Sequence, residues 1–232
     1  MAVTERQLAG EPDPNCWFCP RLAKFRDSLK AAQPEWHNAP VPDFGALDAR
    51  LLVVGLAPGL RGANRTGRVF TGDFAGALLY ETLIEFGFAT GAYGASSNDG
   101  LRLVSCAITN AVRCVPPQNK PAPAEIANCR PFLRATIAAL PDLRAIVALG
   151  RVAHESVVRA FGLKPAAFPF AHATEHVLAS CEAAGNRPQP GAGTLSFFDG
   201  YHCSRTNTNT GVLTPDMFRV VFGKARERLG SL

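Results

Sequence analysis

Short and almost uninterrupted apolar runs constrain the fold of this chain most. The run Ala49–Gly55 reads ARLLVVG and ends in glycine. A run of this kind is typical of a strand buried on both faces, because neighbouring side chains point to opposite faces and both meet protein. Comparable runs at 102–109, 144–150 and 194–198 predict three more strands. The sequence therefore predicts a central four-stranded sheet that is covered on both sides.

Segments with helical spacing of apolar residues separate these strands. They span 21–32, 74–86, 122–140, 152–161 and 215–229, with Thr214 as a predicted N-cap of the last helix. Alternation of strand and helix favours a mostly parallel sheet with helices on both faces, a three-layer α/β/α architecture. Ligands bind such sheets beyond the carboxyl ends of the strands. This rule predicts one site built from the loops 56–73, 110–117 and 201–207.

Length and composition limit the class of protein. The chain has 232 residues, of which 47% are hydrophobic and 19% charged, as in an ordinary soluble domain. We expect a single domain over 1–232, with residues 1–45 as an N-terminal extension. The beginning of the chain lacks a signal-like apolar stretch and no run is long enough to span a bilayer, so we expect a cytoplasmic protein. The net charge of +5 mildly favours a polyanionic partner.

The first loop, from Gly55 to Asp73, carries five glycines and three arginines. It lacks both the P-loop and the GxGxxG pattern, so a phosphate-cradling loop of either kind is not indicated. Phe70 is a lone aromatic among polar residues and is suited to stacking on a planar base. Asp73 directly precedes a helix, and a simple N-cap is the alternative to a chemical role. The arginines are either solvated loop charges or contacts to an anion.

The other two loops carry one notable side chain each. Asn110, at the end of a predicted strand, can offer a donor and an acceptor to the edge of a base or bond its own turn. His202 also lies at a predicted strand end, and the polar residues after it are suited to hydrogen-bonding phosphates. His172 and His176 have i,i+4 spacing without an evident third ligand, and we interpret them as structural.

The chain has seven cysteines, at 16, 19, 106, 114, 129, 181 and 203. An odd number in a chain without an export signal argues against a disulfide framework. The pair Cys16 and Cys19, with two distant cysteines, is compatible with either zinc or an iron–sulfur cluster. Cys106 and Cys181 are interpreted as ordinary thiols.

Taken together, these loops resemble family 5, the type B enzymes, of the uracil-DNA glycosylase superfamily. The resemblance rests on Gly55–Gly59 (GLAPG) with the segments 64–68 (NRTGR) and 70–73 (FTGD), on the segment 110–117 (NAVRCVPP), and on Tyr201–Ser204 (YHCS) with Asn207 and 213–215. One departure is Cys203, which stands where the family has proline. Proline fixes φ, so we expect its loss to loosen the loop, and a surface thiol there would be open to oxidation.

The resemblance implies a monofunctional DNA glycosylase of base excision repair. It would flip uracil, and other deaminated bases, out of DNA and hydrolyse the N-glycosidic bond to leave an abasic site. Asp73 and His202 are the implied catalytic residues. The substrate-binding residues are Gly55, Leu56, Ala57, Phe70 and Asn110. The expected DNA contacts are Arg61, Arg65, Arg68, Ser204, Arg205, Thr206 and Asn207.

The resemblance also implies a [4Fe-4S] cluster on Cys16, Cys19, Cys114 and Cys129, with a structural role. The expected partner is DNA containing uracil or other deaminated bases, bound by a monomer that associates with the nucleoid. Three alternatives remain open at this point. They are a glycosylase mainly for hypoxanthine, xanthine or another damaged base, a non-catalytic binder of damaged DNA, and a zinc-stabilised nucleotide-handling protein.

Overall fold

The computed structural model describes residues 10–178 and 194–230. Their main sheet has six strands in the order β1-β5-β2-β6-β8-β7, and β3 and β4 form a separate antiparallel pair. The strands are β1 (Phe44–Gly45), β2 (Leu51–Gly55), β3 (Ala89–Thr90), β4 (Arg102–Leu103), β5 (Cys106–Asn110), β6 (Ala145–Leu149), β7 (Glu175–Leu178) and β8 (Leu195–Gly200). The helices are α1 (Pro20–Ala32), α2 (Ala63–Thr66), α3 (Phe74–Glu85), α4 (Pro123–Ala138), α5 (Arg151–Ala160), α6 (Arg205–Asn209) and α7 (Pro215–Leu229).

The prediction of a mostly parallel sheet is confirmed, but the predicted number of four strands is wrong. The strands β5, β2, β6 and β8 are parallel, whereas β1 and β7 add antiparallel edges and bring the total to six. Both edge strands escaped prediction because they are short, with β1 spanning two residues and β7 alternating between exposed and buried positions. The predicted strand 102–109 is also divided, since Ser105 takes a φ of 46° between β4 and β5.

Complete burial explains why the central strands read as apolar runs. Every residue of β2, β5, β6 and β8 is buried. One core cluster joins one face of the sheet to α3 and α7, and a second joins the other face to α4 and α5. The predicted three layers are therefore present. Thr214 caps α7 as predicted, because its Oγ1 accepts a hydrogen bond of 3.2 Å from the Met217 amide.

The parallel register brings the candidate residues to one edge. Gly55 and Asn110 end β2 and β5 as direct partners, and β8 ends at Gly200, two residues before His202. The three predicted loops leave the sheet at this edge. Among the described residues, no helix has the length and apolar character needed to cross a membrane.

Candidate active site

A pocket of about 660 Å³ opens where the three loops meet. It brings together residues from all three predicted segments, which lie far apart in the chain. The sequence-predicted residues that line it are Leu56, Ala57, Arg61, Phe70, Asp73, Asn110, His202, Ser204 and Arg205.

Gly55 shapes the inner wall of the pocket by having no side chain. A Cβ on Gly55 would lie 2.6 Å from Cζ of Phe70 and would overlap Oδ1 of Asn110. Phe70 itself has a φ of 51°, which is uncommon for a residue with a bulky side chain. Its carbonyl accepts a hydrogen bond of 3.3 Å from the Tyr93 hydroxyl. The glycine thus lets an aromatic face and an amide converge in one corner.

Asn110 presents a carboxamide that is not used elsewhere. It is 3% exposed, and its side chain makes no hydrogen bond to any other residue in the described part of the chain. Its amide atoms are open to the pocket rather than sealed in the core. Its donor and acceptor are therefore available to a ligand in the pocket.

Asp73 caps a helix and also lines the pocket. It is the N-cap of α3, where Oδ1 accepts a hydrogen bond of 3.3 Å from the Gly76 amide. Its Oδ2 faces Gly59 and Gly62, and a Cβ on Gly59 would lie 2.8 Å from that oxygen. Burial raises the pKa of Asp73. One carboxylate oxygen thus holds the helix while the other faces the glycines of the pocket wall.

His202 faces Phe70 across the pocket, with ring centroids 6.0 Å apart. Burial lowers its pKa to about 4, so the imidazole is neutral at neutral pH. Its carbonyl accepts a hydrogen bond of 2.8 Å from Nδ2 of Asn207. Ser204 caps the short helix α6, with its Oγ accepting from the Asn207 amide at 3.3 Å. Ser204 and Asn207 therefore shape the loop that carries His202.

Cys203 corrects one expectation. It is fully buried, not a surface thiol, and its Sγ donates to the Ala75 carbonyl at 3.5 Å. Burial raises the pKa of this thiol. The residue that replaces proline therefore attaches the His202 loop to the first turn of α3.

The arginines divide into two groups. Arg61, Arg65 and Arg205 are exposed near the pocket, as is Thr206, and the Arg205 guanidinium lies 5.5 Å from the Phe74 ring centroid. Arg68 does not join them. It is 6% exposed and both its terminal nitrogens donate to Asp99 at 2.7 Å. The expectation that Arg68 grips phosphate is corrected, because its charge is already paired beneath the surface.

Asn119 also lines the pocket, and sequence reasoning missed it. It lies in a short 3-10 turn, Pro117–Asn119, where Gln118 and Asn119 both have a positive φ. Asparagine tolerates this conformation better than most residues. Pro116 and Pro117 were the sequence feature from which this tight turn could have been predicted.

The four cysteines with the predicted spacing surround one void. It is lined by Cys16, Cys19, Cys114 and Cys129, together with apolar side chains. Three of the sulfurs have N–H donors. Arg26 Nη1 lies 3.6 Å from Cys114, Asn128 Nδ2 lies 3.8 Å from Cys19, and the Arg113 amide lies 3.2 Å from Cys129. The sulfurs do not converge on the close spacing that would hold a single ion.

Among the described residues, the one compact group of candidate ligand atoms is a different one: His154, His176 and Asp199. His154 Nδ1 lies 2.6 Å from Asp199 Oδ1, and His176 Nε2 lies 3.0 Å from Oδ2. These are hydrogen-bond distances within a buried network, which agrees with a structural role for His176. Cys106 is buried and free, as expected, whereas Cys181 lies outside the described residues.

The fold and the pocket define an α/β protein whose pocket, lined by both polar and apolar side chains, lies at the carboxyl edge of its sheet. A model of the uracil DNA glycosylase superfamily matches residues 42–226. The chain is 41% identical to a type-5 uracil-DNA glycosylase of Thermus thermophilus over 93% of its own length and 94% of the relative's. It is 37% identical to a type-5 uracil-DNA glycosylase of Pyrobaculum aerophilum over 94% of its own length and 91% of the relative's. The chain therefore belongs to the uracil DNA glycosylase superfamily.

The similarity to type-4 members is more limited. A type-4 uracil-DNA glycosylase of Thermotoga maritima is 41% identical over 47% of this chain and 49% of its own length. Type-5 relatives thus match over nearly the whole chain.

Proposed function

We propose that this protein is a monofunctional uracil-DNA glycosylase of base excision repair. The observation that carries the proposal is the convergence of Phe70, Asn110, Asp73 and His202 in one pocket at the sheet edge. The type-5 relatives bear this activity in their names and match almost the full chain. A base of duplex DNA must leave the stack to enter such a pocket, which costs a few kcal/mol.

The pocket side chains suit the recognition of an extruded pyrimidine. Phe70 offers a ring face for stacking. The Asn110 carboxamide offers a donor and an acceptor to the polar edge of the base. Neutral His202 can donate a hydrogen bond to a carbonyl oxygen of the base, where negative charge develops as the bond breaks.

The reaction consumes one water molecule. The C1′–N1 bond breaks with its electron pair on the base, and the sugar passes through an oxocarbenium-like state. A C1′–O bond then forms to water, whose proton ends on the base or in solvent. Asp73 is placed to balance the positive sugar and to orient that water through Oδ2, because Oδ1 is occupied by the Gly76 amide.

The exposed cations at the pocket rim suit the DNA backbone. We assign phosphate contacts to Arg61 and Arg65, with Ser204 and Asn207 at the loop, and a wedge role to Arg205 and Thr206. We expect a monomer to act on DNA with uracil and with other deaminated bases. A cytoplasmic location remains a prediction.

The test uses single-lesion duplexes carrying uracil, hypoxanthine or xanthine, or an undamaged control. Purified protein should release free uracil and leave alkali-labile abasic sites. A faster rate on hypoxanthine or xanthine would favour the alternative specificity. Tight binding of lesion DNA without release of any base would contradict the proposal and favour a damaged-DNA binder.

We further propose that Cys16, Cys19, Cys114 and Cys129 hold a [4Fe-4S] cluster with a structural role. Four cysteines around one void suit a cluster better than one ion, and N–H donors near three sulfurs suit thiolate acceptors. Arg26 supports this, because it is buried, donates toward Cys114, and keeps a buried Nε without a partner among the described residues. When bound, the cluster would tie the Asn110 loop to the N-terminal extension.

Iron and acid-labile sulfide analysis tests the cluster. We expect four irons for each chain, and we expect Cys114→Ser to lose iron and lower the unfolding temperature. Cys106→Ser is the matched control, because this cysteine lies in the sheet away from the void. Zinc without iron or sulfide would overturn the cluster assignment and would leave the glycosylase proposal standing.

A further inference from the structure

A half-buried histidine outside the pocket contacts the backbone where the chain leaves β8. His172 lies in the segment before β7, next to the end of β8. Its Nδ1 accepts a hydrogen bond of 3.0 Å from the Tyr201 amide. Its Nε2 lies 3.1 Å from the Met217 carbonyl in α7. The ring also stacks on Tyr201, with centroids 4.7 Å apart.

These two hydrogen bonds define one chemical form of the ring. A backbone amide can only donate, so Nδ1 must carry a lone pair, and a carbonyl can only accept, so Nε2 must carry the proton. His172 is therefore a neutral imidazole with a fixed tautomer. Burial lowers its pKa, and the Lys224 charge adds to this, while the Met217 carbonyl and the Asp199 charge act in the opposite direction. The net lowering agrees with the form that the geometry requires.

The anchored amide is one residue from His202. On the other side, Asn207 holds the His202 carbonyl at 2.8 Å. The backbone that carries the pocket imidazole is thus fixed before it by His172 and after it by Asn207. The segment around His172 is itself secured, because the Ala173 amide donates to the Asp199 carbonyl at 2.8 Å and Lys224 Nζ donates to the Ala173 carbonyl at 2.8 Å.

We propose that His172 is a positioning residue, which sets the placement of His202 by holding the Tyr201 amide. It does not touch the substrate. The inference rests on the proposed glycosylase function, because placement of His202 matters only if His202 acts on the base. Displacement of a catalytic group by about 1 Å can slow a reaction by about 100-fold.

Two substitutions separate the effect of the hydrogen bond to the Tyr201 amide from the effect of the aromatic ring. His172→Phe keeps an aromatic ring against Tyr201 and loses both hydrogen bonds. His172→Asn loses the ring, but its Oδ1 stands near the position of Nδ1 and can still accept from the Tyr201 amide. Arg219→Met is the control, because it removes exposed ion pairs of α7 close to Met217 without touching the His172 segment.

The measurements are single-turnover release of uracil from a duplex and affinity for a duplex with a stable abasic-site analogue. His172→Phe should release uracil about 10- to 100-fold more slowly, with unchanged affinity. His172→Asn should recover most of the rate, and Arg219→Met should match the wild type. A wild-type rate for His172→Phe, or an equal loss in His172→Asn, would overturn the proposal.

Nitrogen NMR of the unsubstituted protein provides a test that does not depend on folding of the variants. We expect His172 to carry its proton on Nε2 alone at neutral pH, and a proton on Nδ1 would overturn the assignment. The kinetic measurements also separate the positioning proposal from the proposed glycosylase function. If the wild type releases no base, the function fails, whereas an active wild type with an equally active His172→Phe refutes only the positioning role.

Discussion

The phenyl ring of Phe70 occupies the space that a side chain on Gly55 would need. A Cβ at this position would lie 2.6 Å from the ring and would also overlap the Asn110 amide. The positions of the Phe70 ring and of the Asn110 amide thus depend on the absence of a side chain at Gly55. The stacking face and the polar edge of the pocket are fixed by the same contact.

Gly55→Ala should therefore damage the pocket more than the fold. We expect uracil release to fall by up to about 100-fold, because Phe70 and Asn110 must both move. Single-turnover kinetics measures this. Gly223→Ala in α7 is the matched control, since its Cβ would meet only Phe86 at ordinary distances, and it should keep the rate and stabilise the protein by about 0.5–1 kcal/mol. An active Gly55→Ala would show that the contact does not shape the substrate site.

Asp73 allows its capping role to be separated from its charge. Asp73→Asn keeps a good N-cap for α3, so the unfolding temperature should stay close to that of the wild type. Its rate should fall by about 100-fold or more, because the carboxylate near the sugar is gone. Asp73→Ala should slow the reaction to a similar extent and should also lower the free energy of unfolding by about 1 kcal/mol. Unchanged kinetics in Asp73→Asn would restrict this residue to capping.

His202 predicts a specific dependence on pH. Its pKa is lowered to about 4 in the folded protein, from about 6.5 in an unfolded chain. The neutral imidazole therefore persists down to about pH 4, and His202 should cause no loss of rate between pH 8 and 5. Rates of uracil release in that range test this. A fall in rate near pH 6.5 that disappears in His202→Gln would contradict the assignment.

The lowered pKa of His202 also makes the stability of the folded protein depend on pH. Below about pH 6.5 the unfolded chain takes up a proton at His202, whereas the folded chain does so only near pH 4, so falling pH favours unfolding in this window. Urea unfolding at pH 7 and pH 5 should show a smaller loss of stability for His202→Gln than for the wild type. Equal losses would show that His202 does not carry this dependence.

Arg68 and Arg61 should behave differently although they share a loop. Arg68→Met removes the guanidinium from Asp99, which keeps the hydrogen bonds from the Gly94 and Leu101 amides, and should cost about 1.5–3 kcal/mol of stability. Arg61→Ala should leave stability unchanged, weaken DNA binding and reduce the salt slope of the binding constant by about 1. Chemical unfolding and binding titrations at several salt concentrations distinguish the two. A changed salt slope with unchanged stability in Arg68→Met would return Arg68 to the DNA surface.

The sequence by itself determined the centre of the fold. The strands β2, β5, β6 and β8 are buried on both faces, so their apolar runs could be read without tertiary information. The Thr214 cap could be read for the same local reason. The edge strands could not, because β1 has two residues and β7 is half exposed, and their pairing depends on a neighbour rather than on their own pattern.

The pocket followed from the sequence as three loops at one sheet edge, since parallel strands present their carboxyl ends together. Tertiary structure alone decided how each side chain is used. Arg68 looked like its neighbours until Asp99 was brought beside it, and Cys203 looked exposed until α3 covered it. His172 carried no signal at all, because its proposed role depends on the backbone amide that follows β8 and on a carbonyl of α7. Local pattern determined which segments become strands and helices, and contacts distant in the chain decided which polar groups remain free for a ligand.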